Sequence, residues 1–127
     1  MSRLGDGSPL LDLPALRRAV LVGTPIQALT ALVSHFGGLL ASHAIGFLFA
    51  GMMISATMGY LYALDVAKGY GPGARGGAVA GGVCAVGIAI SVLLGDMALS
   101  VWVLHGLISV LTGAVGGVYG QLAADWN

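Results

Sequence analysis

Residues 76–94 read GGAVAGGVCAVGIAISVLL. The stretch carries no charged side chain and no proline. It is long enough for the hydrocarbon core of a bilayer, which roughly 20 apolar residues cross as a helix. A barrel strand would instead alternate polar and apolar positions over about ten residues, and no such alternation is visible. In water, each glycine in this stretch would cost a helix about 1 kcal/mol relative to alanine. In lipid no water competes for the backbone, so glycine is tolerated in a spanning helix. The stretch predicts a transmembrane helix.

The rest of the chain repeats the pattern. Its 127 residues are 57% hydrophobic and 8% charged, with a mean hydropathy of +0.96. A soluble domain carries about 25% charged residues, so these side chains are too few to cover a water-facing globule. Spans are expected at about 19–36, 40–64, 76–94 and 99–123. The expected fold class is an all-α integral membrane protein, with four transmembrane helices as two hairpins in a glycine-rich, tightly packed bundle. Residues 1–16 form an N-terminal segment whose leucines can lie on the membrane surface, and residues 17–127 form the four-helix domain. Arg17 and Arg18 precede the first apolar run, as they would in a signal peptide, but the run exceeds the 7–15 residues of a usual signal core; a retained helix is expected. Pro25 should kink that helix or mark its first turn. The clearest turn is DVAKGYGPGAR at 65–75.

Orientation follows from the basic residues. Arg3, Arg17 and Arg18 precede span one, and Lys68 and Arg75 lie between spans two and three. Four spans put all of them on one side, which should be the cytoplasm. The expected location is a bacterial inner membrane, with both termini cytoplasmic.

Residues four apart share a helix face, and small residues at that spacing let helix backbones approach. Span two carries Gly51, Ser55 and Gly59; span three carries Gly77, Gly81 and Ala85; span four carries Gly113 and Gly117. Three such rows predict close packing within one bundle, between copies, or against a larger complex. Span three has small residues on two faces and is the expected packing centre. The hairpins also hint at a repeat, since His43 precedes Gly51 by the same spacing as His105 precedes Gly113.

Few residues offer chemistry. His35, His43, His105 and Asp96 are expected at similar heights near the outer face. Imidazole and carboxylate suit a metal, haem, proton or quinone oxygen, or simply the interface. Gln27 and Thr24 give span one a partly polar side, a candidate polar path or a source of interhelical hydrogen bonds. Lys68 and Arg75, with the glycines between them, are candidates for holding a lipid headgroup. The single cysteine, Cys84, excludes an internal disulfide. No nucleophile–base–acid set stands out, so no catalytic residue is assigned, no enzyme is expected and no cofactor is specified. Net charge is zero, which argues against nucleic acid as a partner. The expected partners are the lipid bilayer and either copies of the chain or other membrane subunits. The leading expectation is a structural or accessory subunit, self-associating or packed in a larger membrane complex. The alternatives are a small oligomeric transporter or channel, and a metal-, haem- or quinone-binding protein using the outer histidines.

Overall fold

A computed structural model of the chain describes residues 10–37 and 44–127. Helix α1 spans Leu13–Gly37, α2 Ala44–Val66 and α3 Tyr70–Cys84. A 3-10 turn at Ala85–Ile88 leads into α4, Ala89–Leu93, and α5 runs Leu99–Trp126. Among the described residues the fold is wholly helical, and four helical segments are long and apolar enough to span a membrane: α1, α2, α3 through α4, and α5. The protein is therefore a multi-pass membrane protein.

The helix starts differ from the sequence expectation, and the reasons are local. α1 begins at Leu13 rather than near residue 19, because Asp12 caps it: the Ala15 N–H donates to Asp12 Oδ1 at 3.1 Å. Pro14 sits in the first turn, where no intrahelical donor is needed. The helix then continues through Pro25, which therefore does not mark its first turn. Of the N-terminal segment, residues 1–9 lie outside the described residues. The turn expected over 65–75 shrinks to Ala67–Gly69, with φ 48° at Ala67 and 111° at Gly69. Pro72 belongs to the first turn of α3 and so breaks nothing.

Span three, expected as one unbroken helix, tightens at Ala85–Ile88. There Gly87 lies against the α1 backbone, where a β-carbon would meet Thr24 O and Ala28 N. In the tighter register the Ala89 N–H bonds Val86 O instead of Ala85 O. The Trp102 indole N–H takes up Ala85 O at 3.2 Å.

α4 ends in a glycine turn. Asp96 N–H reaches Ser91 O at 2.9 Å and Gly95 N–H reaches Val92 O at 3.1 Å, with Gly95 at φ 78°, the left-handed position that closes a Schellman motif. Gly95→Ala is expected to lower stability by about 1 kcal/mol, measured by SDS titration of detergent-solubilised protein. An unchanged midpoint would mean that the turn relaxes freely.

Each long helix buries a row of residues at a spacing of four. The rows are Ala15, Ala19, Gly23, Gln27 and Ala31 on α1; Phe47, Gly51, Ser55, Gly59 and Ala63 on α2; Gly73, Gly77 and Gly81 on α3, continued by Ala85; and His105, Ser109, Gly113, Gly117 and Gln121 on α5. The rows face one another within the chain. α3 and α5 run in opposite senses, with Gly73 by Gly117 and Gly81 by Ser109. α2 runs alongside α5, with Gly51 by His105 and Gly59 by Gly113. Gly113 is a three-helix junction, since β-carbons at Gly59 and Gly77 would both strike its carbonyl oxygen. A second α5 row, Gly116 and Gly120, meets Ala56 and Tyr60 of α2. Span three is the most buried of the four, as its two small-residue faces imply.

Not every glycine serves backbone contact. Gly76 lies where the Tyr62 ring sits, and Gly23 lies where Met58 and Cys84 meet. Tyr62 is 2% exposed, and its hydroxyl accepts the Asp12 N–H at 2.9 Å, tying α2 to the start of α1.

Candidate functional site

Apart from Gln121, the buried polar side chains of the bundle lie at its middle and in the half nearer Asp96. Gln27 is fully buried; its Nε2 donates to Ser55 Oγ at 3.1 Å and to Gly51 O at 3.5 Å. Ser55 Oγ in turn donates to Gly81 O at 3.4 Å. The chain of bonds links α1, α2 and α3. Gln27 Oε1, Thr24 Oγ1, Ser91 Oγ and Ser109 Oγ are buried with no partner among the described residues. Thr30, by contrast, is exposed and bonds back to Ile26 O at 2.8 Å, so it does not belong to this interior.

His105 stands out in this group. It is 1% exposed, and among the described residues neither ring nitrogen has a partner. Its Cε1–Nε2 edge lies against Gly51, where any β-carbon would overlap the ring. Gly51 thus acts as a seat for an imidazole rather than as a backbone contact, and Ser55 acts through its hydroxyl. A buried polar group left unbonded costs about 1–3 kcal/mol, so an apolar side chain of similar size would fill this place at lower cost.

His105 also lines a cavity of about 350 Å³ between the first turns of α2 and α5. Phe47, Leu48, Met97 and Val101 supply apolar walls, and Asp96 is the one carboxylate on the lining among the described residues. The Schellman turn fixes where Asp96 sits. Its Oδ2 lies 2.6 Å from His35 Nδ1. A carboxylate only accepts, so Nδ1 carries the proton of this bond. The pair joins the end of α1 to the end of span three.

The expected outer layer thus divides. His35 meets Asp96, Asp96 and His105 share a cavity, and His43 lies outside the described residues. Among the described residues no three His, Cys, Asp or Glu side chains form a set that could hold a metal ion. The inward turn of His105 is legible in the sequence after the fact, because it continues the row Ser109, Gly113, Gly117 at the same spacing. The height of a residue along its helix does not give the direction in which it points, which is why the four candidates look equivalent in the sequence.

The other half of the interior is apolar except for Gln121. Ala15, Ala19, Met58, Tyr62, Ala80 and Cys84 pack as one cluster and close the bundle below the polar layer. Cys84 is wholly buried there, a packing residue.

At the Asp65 end, Arg18 Nη1 reaches Asp65 Oδ2 at 3.2 Å on the exposed surface, a pair worth at most about 1 kcal/mol. Lys68 and Arg75 are exposed. The glycines between them form no open loop to cradle a phosphate: the chain is helical from Tyr70, and the Gly69 N–H is taken by Gln121 Oε1 at 2.9 Å. Gln121 Nε2 donates to Asp125 Oδ1 at 2.7 Å, which anchors this corner.

No family model matches the chain, and no curated protein or solved structure is detectably similar to it.

Proposed function

We propose that the chain is a structural or accessory membrane subunit, a compact helical module that packs into a larger membrane assembly or with copies of itself, and we assign it no catalytic step. The observation that supports this reading is how the surface is divided. The small-residue rows and the polar groups turn inward. The outer sides of α1 and α5 carry exposed Leu21, Leu29 and Val33, and Leu104, Leu107 and Leu111. Such faces suit lipid or another helix. The described basic side chains, Arg17, Arg18, Lys68 and Arg75, belong to the Asp65 end. By the positive-inside rule that end faces the cytoplasm, which gives two hairpins with both termini inside, in a bacterial inner membrane.

This reading changes what holds an assembly together. The glycine rows are used within one chain, so partners would meet the outer faces of α1 and α5. Purification in a mild detergent followed by native mass spectrometry is expected to show a second subunit or a defined oligomer. Leu107→Ala with Leu111→Ala should weaken that association while leaving the monomer folded. A monomer that carries only lipid would overturn the proposal.

The Gln27–Ser55 bonds and the unpartnered groups beside them favour one second reading, a small oligomeric transporter or channel. It requires flux into liposomes that Gln27→Leu abolishes. Equal flux with and without the protein would exclude it.

A further inference from the structure

We propose that the cavity beside His105 binds a neutral, lipid-soluble molecule that carries a hydroxyl or carbonyl oxygen on an apolar ring, the chemistry of a quinone or quinol head. The proposal goes beyond the accessory-subunit reading and does not depend on it.

The imidazole is the first reason. His105 is 1% exposed, both ring nitrogens lack a partner among the described residues, and the ring lines the cavity. A neutral imidazole offers one N–H donor and one lone pair, so by turning its polar edge from Gly51 toward the cavity it can give a hydrogen bond to a carbonyl or take one from a hydroxyl. The walls are the second reason. Phe47, Leu48, Met97 and Val101 offer no polar side-chain atoms, so a charged ligand would be stripped of water with little in return. Asp96 on the lining repels an anion. The space is the third reason. About 350 Å³ falls in the range of small-molecule sites. A water molecule occupies about 30 Å³ of liquid and needs two to four polar partners; His105 and Asp96 can serve one or two waters, and the apolar walls serve none in the rest of the space. A lipid chain would match the walls and leave His105 unbonded. A ring that bears oxygen satisfies both.

Trp102 provides the reporter. Its indole packs against the cluster that contains Phe47 and Ile88, and the chain has only two tryptophans, so Trp126→Phe leaves one. The Trp126→Phe protein in dodecyl maltoside is titrated with decylubiquinone, and Trp102 fluorescence is followed. Saturable quenching is expected above the linear loss caused by quinone dissolved in the micelle. His105→Leu should weaken the apparent affinity about tenfold, the loss of one hydrogen bond in an apolar site. Trimethylhydroquinone should compete, whereas durene, a methylated benzene ring without oxygen, should not. Titrations that are identical with and without the His105→Leu substitution overturn the proposal. Equal competition by durene also overturns it and makes the cavity a slot for an acyl chain only. If His105→Leu fails to fold, the thermal midpoint of the Trp126→Phe protein decides. It should rise with decylubiquinone and stay constant with durene, and equal behaviour of the two sinks the idea.

Discussion

Gly113→Val is expected to abolish the folded bundle, whereas Gly106→Val on the same helix is expected to leave it intact. The two substitutions add the same atoms to α5 with the same helix propensity, so the difference isolates packing. At Gly106 a β-carbon has nothing within 4 Å. At Gly113 it would collide with Gly77 O and lie 2.9 Å from Gly81 Cα. The displaced atoms are backbone, which cannot swing aside as a flexible side chain can. Because α2 and α3 both rest on Gly113, α5 must withdraw from both. Overpacking a fitted interior costs about 1–3 kcal/mol, and the upper end or beyond is expected where three backbones meet. SDS titration followed by circular dichroism would measure it. Equal midpoints for the two variants would show that the junction can open without loss.

The second large effect concerns Gly51 and His105, and it is a coupling. Gly51→Ala alone places a methyl group inside the imidazole ring position and is expected to destabilise by about 2 kcal/mol. In a His105→Ala background the ring is gone, and the same methyl group enters the space it leaves. Gly51→Ala should then be nearly neutral, giving a coupling of about 2 kcal/mol, within the span seen for residues in contact. Unfolding midpoints of the parent, the two single variants and the double variant complete the cycle. Additive effects would mean that His105 does not rest on Gly51, and the description of the cavity would fall with it.

Much of this architecture is legible in the sequence, because lipid leaves so few options. Runs such as 76–94 must form spanning helices, and four of them follow from composition alone. The rows of small residues also announce which faces pack. What the rows do not announce is their partners. Gly113 and Gly116 differ by less than one helical turn, yet a β-carbon on the first would strike α3 and on the second α2, a choice made by the assembled bundle. Helix starts are hard to read where turn-forming residues lie in first turns. Pro72 reads as part of a turn, but a helix start needs no donor from it. The tightening at Ala85–Ile88 is not legible at all, since it arises from how closely Gly87 approaches α1. In the candidate site, the sequence places His35, Asp96 and His105 in one layer but gives no direction to any of them. The inward direction of His105 is set by its row, while His35 finds Asp96 only because a glycine turn presents that carboxylate.

The division of the interior into a polar half and a sealed half has a consequence for energetics. Met58, Tyr62, Ala80 and Cys84 pack together beneath Gln27 and Ser55, and the described lining of the cavity beside His105 does not reach them, so among the described residues that cavity opens at the Asp96 end alone. A dead-end vestibule of this kind equilibrates with one compartment only. Its occupancy reports concentration on that side, or within the adjoining leaflet, and is indifferent to any gradient across the membrane.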